Sequence, residues 1–205
     1  MFVPRLHRPE VLDPLRAAWK EAASVRVTPL LQEAHAARFL GALRSVMHTP
    51  MQRFDPREGF QVWRFGWVPG EDDCDHPLCI LGRWLRGDAL SWVSALTERD
   101  LVPAPDPTFT SECAAKATFF EPYDDAGEGR SVAVRLHLTP TTWPPEWGGH
   151  LELLDGPEGA VVNRLAPAWN TLDLFDVSRS AWRRLPLIQK HLEGYTISTW
   201  FHAAS

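Results

Sequence analysis

The sequence has no excess of positive charge. Lysine and arginine number 21 against 26 aspartates and glutamates, a net charge of −5 with histidine neutral. A nucleic-acid-binding face needs a basic footprint, and no aromatic residues are interleaved with basic clusters to form a stacking platform. Nucleic acid is therefore not an expected partner. No apolar run is long enough to cross a bilayer. The opening MFVPRLHRPEVLDPL lacks the apolar segment of a secretory signal. Cysteine is scarce: Cys74, Cys79 and Cys113 are odd in number and suggest no disulfide framework. A reducing cytoplasm with no membrane contact is the expectation. A Gly-x-Ser-x-Gly nucleophile elbow is absent. The glycine turns at 127–129 and 156–159 do not open a helix, as a phosphate loop must. There is no internal repeat.

Tryptophan, by contrast, is abundant, with ten residues among 205. Most should be core, since the indole buries a large area and carries one polar handle; others should wall a pocket. The length fits one domain spanning 1–205. Its first half is helix-rich. Val11, Leu12, Leu15, Ala18 and Trp19 share a helical face, and Leu40, Leu43 and Met47 recur at helical spacing within 31–47. Asp88 is a candidate cap for a helix through Leu96. VRVTPL (25–30) and FQVWRFGWV (60–68) read as strands. VPAPDPT (102–108), with three prolines, excludes a regular element and is the best internal boundary.

From there the pattern changes. Strands are expected near 111–121, 131–139, 149–154, 160–163, 171–177, 182–187 and 194–202, with turn signals between them. Helices first and antiparallel strands after predict an α+β fold, with 1–100 supplying helical support and first strands and 109–202 the β core. Within 131–139, Val132, Val134, Leu136 and Leu138 alternate with Arg135 and His137. One face of this strand is apolar and the other polar. An exposed sheet surface and a polar barrel interior both fit that pattern.

The order of features in 111–202 resembles the 2-oxoglutarate/Fe(II) oxygenase superfamily, especially its prolyl-4-hydroxylase-like branch. PYDDAGEGRSVAVRLHLT is similar to the family's ligand loop and following strand. WPPEWGGHLELLD (143–155) resembles its tryptophan, glycine pair and leucine-rich strand. PAWNTLDLFDV (167–177) and YTISTWFH (195–202) resemble two later strands. The resemblance implies a double-stranded β-helix, a jelly-roll or cupin-like barrel braced by N-terminal helices.

The resemblance also implies where the chemistry has changed. The family's first iron-binding histidine falls on Tyr123, its aspartate on Asp125, and its second histidine on or near Trp182. The arginine that grips 2-oxoglutarate sits six residues before the closing Trp200, at Gly194. Ferrous iron with open positions wants two histidines and a carboxylate, and an indole cannot replace imidazole because it only donates. No metal and no cofactor are therefore expected.

The expected activity is the binding of a small, anionic organic ligand in the barrel, with a redox-neutral acid/base step. Tyr123, Asp125 and His137 are the catalytic candidates, Arg135 the charge clamp and Trp182 a pocket wall or plug. An inward arginine needs an anionic partner. One alternative is a working iron/2-oxoglutarate hydroxylase in which His137, His150 or His202 joins Asp125; only then are Fe(II) and 2-oxoglutarate expected. Another is a non-catalytic binding or regulatory protein. Cys74, His76 and Cys79 invite a zinc reading, but their spacing matches no standard pair. The oligomeric state is left open.

Overall fold

The computed structural model describes residues 1–204 except 56–57, 69–73, 107–108, 115, 125, 128, 180–181 and 192–193; for 52–61 only the backbone is described. Asp125 therefore lies outside the described residues.

The N-terminal half supplies helices and the first strands. Helix α1 (Pro9–Ala22) starts with proline at its first position, where the missing amide costs nothing. It ends at Ala23 in the left-handed conformation. Strand β1 (Ser24–Val27), helix α2 (Glu33–Ser45), and strands β2 (Thr49–Asp55) and β3 (Glu58–Trp67) follow. Helix α3 (Pro77–Trp84) runs through a π turn (Leu85–Ala89) into α4 (Leu90–Thr97). Asp88 thus sits within a continuous helical run rather than capping one. The cap is His76, whose ring accepts from the Leu78 amide at 3.3 Å.

Strands β4 (Leu101–Pro103), β5 (Phe109–Ala114), β6 (Phe119–Asp124), β7 (Arg130–Leu138), β8 (Leu151–Leu154), β9 (Val161–Leu165), β10 (Thr171–Asp176), β11 (Trp182–Leu185) and β12 (Tyr195–Ala203) complete the chain. Two expectations are corrected here. The single strand predicted over 111–121 is two, β5 and β6, broken where Ala117 takes φ 71° and its amide is claimed by Ile188 O. The proline-rich boundary begins with a short strand, β4, paired with β12 at the sheet margin, where proline is tolerated.

All pairings are antiparallel, in the order β1-β10-β7-β12-β5-β3-β6-β11-β8-β9. This path folds on itself between β3 and β6, so that β6-β11-β8-β9 faces β10-β7-β12-β5. Mixed helices with two facing antiparallel layers make the α+β fold that the strand pattern predicted, in the jelly-roll form that the resemblance implied. The helices pack on the outer side of β7, β10 and β12. One apolar cluster joins Phe39, Leu43, Trp84 and Leu96 to Val132, Val134, Leu136, Leu138, Leu172 and Leu174. A second cluster, with Ala133, Leu153 and Phe175, closes one end of the interior. Both faces of β7 are therefore covered, and its alternation reports core against cavity rather than core against solvent.

Cys74 and Cys79 form a disulfide, although the cysteine count had suggested no disulfide framework. With His76 capping α3, the zinc reading of 71–79 has no ligand set among the described residues. No helix among the described residues is long and apolar enough to cross a membrane.

Candidate functional site

The apolar side chains of β7 anchor in the helical layer, so Arg135 and His137 must project the other way. Both line a cavity of about 610 Å³ between the two layers, together with Arg64, Glu112, Tyr123, Trp143 and Thr196. A smaller cavity of about 240 Å³ lies alongside, lined by Arg64, Glu112, Tyr123, Arg135, Arg183 and Ser198 among others. The pocket wall predicted from tryptophan content is Trp143, whose Nε1 donates to Gly148 O at 2.7 Å. Gly148 has φ 67°, and a Cβ there would lie 1.9 Å from Leu187 O, so this tight corner admits only glycine.

The inner face carries a hydrogen-bonded row across four strands. Arg26 on β1 grips Asp173 on β10 with two bonds of 2.7 Å. Asp173 Oδ2 lies 3.0 Å from His137 Nε2. On its other side, His137 Nδ1 lies 3.0 Å from Thr196 Oγ1 on β12. Burial disfavours the imidazolium and lowers the His137 pKa despite Asp173. Burial also opposes the Asp173 charge, but hydrogen bonds from Arg26 and His137 outweigh it and hold the carboxyl below its ordinary range. A second pair, Arg64 on β3 with Glu112 on β5, includes a 2.9 Å bond from Nε.

Arg135 stands apart from these pairs. Its Nε is buried without a hydrogen-bond partner among the described residues. Asp173 lies directly across from it in register, but that carboxylate is engaged by Arg26 and His137. Across the other strand, opposite Ser198 has an equally orphaned Oγ.

Tyr123 lines both cavities and is 38% exposed. It pairs with Arg183 across β6 and β11, while Trp182 pairs with Asp124. Trp182 is therefore on the other face of β11 and is not among the described residues lining either cavity. The predicted wall or plug is displaced by one residue, and the one-residue step reverses the face. The inward side chain is Arg183, 3% exposed, with its guanidinium 4.3 Å from the centre of the Phe175 ring. His150 and His202 line neither cavity.

Gly194, where the resemblance places an arginine, has no room for a side chain. A Cβ would lie 2.6 Å from Thr139 Cα. Among the described residues no three His, Cys, Asp or Glu side chains come together as a metal-binding group.

Sequence reasoning did not single out Arg26, Arg64, Glu112, Asp173, Arg183 or Thr196 as site residues. Asp173 and Thr196 carry the same signal as Arg135, a polar residue alternating with Leu172 and Leu174 or flanking Ile197. Arg26, Arg64 and Glu112 come from strands whose register no local pattern gives.

Residues 109–202 match the family model of the 2OG-Fe(II) oxygenase superfamily. The chain is 32% identical over 136 residues to prolyl 3-hydroxylase OGFOD1 of Mus musculus, covering 62% of this chain and 24% of that protein. It thus spans about a quarter of the length of that relative. In three dimensions it is similar to an oxidoreductase of the 2OG-Fe(II) oxygenase family from Burkholderia pseudomallei. That likeness has a TM-score of 0.69 and 14% identity, covering 94% of this chain and 90% of that one. A prolyl hydroxylase from Trichoplax adhaerens, solved with a hypoxia inducible factor peptide fragment, also gives 0.69, at 16% identity over 95% and 90% of the two chains. Over its β core, residues 109–202, the chain is similar to the 2OG-Fe(II) oxygenase superfamily, and its fold is that of the superfamily's solved members.

Proposed function

We propose that this chain binds a small organic anion in its barrel and acts on it by a redox-neutral acid/base step, having given up iron-dependent oxygenation. The observation that carries the reading is Arg135. A guanidinium with a buried, unpartnered Nε is costly to leave so, and Asp173 opposite it and Glu112 in the same cavity are committed to Arg26 and Arg64. A carboxylate or phosphate entering the cavity supplies the missing partner, and the planar fork of arginine suits such groups. The volume of about 610 Å³ is that of an ordinary small-molecule site.

The donor set at the family's metal corner supports the loss of iron. Tyr123 offers a phenol, Trp182 turns away, and Arg183 brings a positive charge that repels a cation. His137, the nearest imidazole in the cavity, has both nitrogens engaged. Asp125 remains the candidate carboxylate of this corner, and Tyr123 and His137 the candidate proton carriers.

The test is calorimetric titration of the purified protein with succinate and with inorganic phosphate. Binding of one of them is expected; Arg135→Ala should abolish it with the circular dichroism unchanged, and Arg135→Lys should restore it in part. Absence of binding by both would remove the clamp.

The likeness to prolyl 3-hydroxylase OGFOD1 favours a second reading, a working hydroxylase with an unusual ligand set. One equivalent of tightly held iron after anaerobic purification, with succinate formed on adding 2-oxoglutarate, would establish it over the first.

A further inference from the structure

Within the row described above, three groups have the geometry that activates a hydroxyl. Asp173 is ionised and can only accept, so the proton on His137 sits at Nε2, 3.0 Å away. Nδ1 is then a free lone pair, and the Thr196 hydroxyl 3.0 Å from it must donate. Arg26 donates to both oxygens of Asp173, Nε to Oδ1 and Nη2 to the Oδ2 that His137 also reaches, and keeps it ionised. A buried histidine needs partners for both nitrogens wherever it lies. Here, however, both His137 and Thr196 are among the residues lining the large cavity, so the pair stands beside the space a ligand would fill. The three residues come from adjacent strands, β10, β7 and β12, with Thr196 opposite His137 in register. This is a rigid support for such a group. Arg135 is two residues from His137 on the same face and diagonal to Thr196, roughly 7–8 Å between backbones.

We propose that Thr196, His137 and Asp173 are an acyl-transfer triad, acting on esters of small acids that carry a second carboxylate. The second carboxylate is the anion Arg135 holds, so the inference rests on the ligand reading above. Thr196 Oγ1 attacks the ester carbonyl carbon, and its proton passes to His137 Nδ1. The carbon–oxygen bond to the leaving alcohol breaks as His137 returns that proton to it, leaving an acyl-threonine. Water then adds to the acyl carbon and gives a proton to Nδ1. The bond to Thr196 breaks, the proton returns to Oγ1, and the acid departs. The sum is ester plus water giving acid plus alcohol, with no oxidant or reductant. Asp173 stays ionised throughout and stabilises the transient imidazolium.

The experiment uses the full chain with mono(4-nitrophenyl) succinate and the neutral 4-nitrophenyl butyrate. It reads nitrophenolate release and acyl adducts by peptide mass spectrometry. The expected result is faster release from the succinate ester, with a succinyl group on the Thr196 peptide. Thr196→Val should abolish both, Thr196→Ser should retain both, and Asp173→Asn should slow release by roughly 10²-fold or more. Succinate binding by calorimetry should survive Thr196→Val, which shows that the variant is folded. Succinate binding without any adduct on Thr196 in the unaltered protein overturns the triad and leaves the anion site standing. Release that persists undiminished in Thr196→Val overturns it as well. Equal acylation of Thr196 by the butyrate ester supports the triad and removes the anion as its ligand.

Discussion

His137 is 2% exposed and remains neutral because burial lowers its pKa from the ordinary 6.5. The unfolded chain therefore binds a proton that the folded chain refuses, and stability falls as pH drops from 6.5 toward the folded value. Asp173 adds to this. Burial raises its pKa, but the Arg26 and His137 bonds more than reverse that. Its contribution is present above the ordinary carboxylate value of 3.8 and is lost as pH falls through the lower folded one. Both groups act in the same direction, so urea midpoints should decline progressively on acidification. His137→Gln should make the decline just below pH 6.5 shallower without removing it, since His48, His150 and His202 are also depressed by burial. An unchanged slope in that variant would mean that His137 takes up its proton equally in the folded and unfolded chain. That His137 and Arg135 share a polar face was legible from two-residue alternation; that this face is the inward one was what the resemblance implied. Their partners were not, because Asp173 and Thr196 lie 36 and 59 residues away in sequence.

At the level of elements, the start of β12 approaches the end of β7 so closely that Gly194 is required. Thr139 Cα and Leu138 O would lie 2.6 and 2.9 Å from a Cβ at this position, and backbone atoms cannot swing aside. Gly194→Ala should cost about 1–3 kcal/mol through overpacking, measured by chemical unfolding. A neutral outcome would show that the two strands separate easily. An arginine could not be accommodated here without moving β12 away from β7. Asn170 marks the other junction. Its backbone takes φ 50°, a conformation asparagine tolerates better than most residues. Its side chain accepts from the Leu31 amide at 2.9 Å and donates to the Leu31 carbonyl at 2.7 Å. These bonds tie the entry to α2 onto the barrel. Asn170→Ala should cost about 3 kcal/mol from unsatisfied buried groups and backbone strain. Calorimetric unfolding against the unaltered chain checks it, and a loss under 1 kcal/mol (small beside such a penalty) would count against this junction. The asparagine was visible in the sequence as part of a Pro-x-x-Asn pattern; its bridging role became visible only with Leu31 beside it.

For the whole molecule, the apolar cluster that unites α2, α3 and α4 with β7, β10 and β12 predicts a single cooperative transition. A fragment beginning at residue 104 would expose Val132, Val134, Leu136 and Leu138 and would lose β1 and β3 from the sheet. It should be unfolded or aggregated by circular dichroism and gel filtration. Phe39→Ala in the intact chain, which removes a side chain with no exposure, should lower stability by about 3–5 kcal/mol. A fragment that folds alone would show that residues 1–103 are dispensable for the barrel.

Periodicity and turn chemistry are local, and by themselves they determined the helical half, most of the strands and the division of β7 into an apolar and a polar face; the order of motifs added the family that the core resembles. Tertiary structure decided what depends on register between distant strands. It put Arg183 rather than Trp182 inside, divided 111–121 into two strands, paired Cys74 with Cys79, and set backbone against Gly194 where a side chain would stand. The physical reason is the two-residue period of a strand. A shift of one position, invisible to composition and too small for a weak resemblance to exclude, exchanges the side chains that meet a ligand for those that do not.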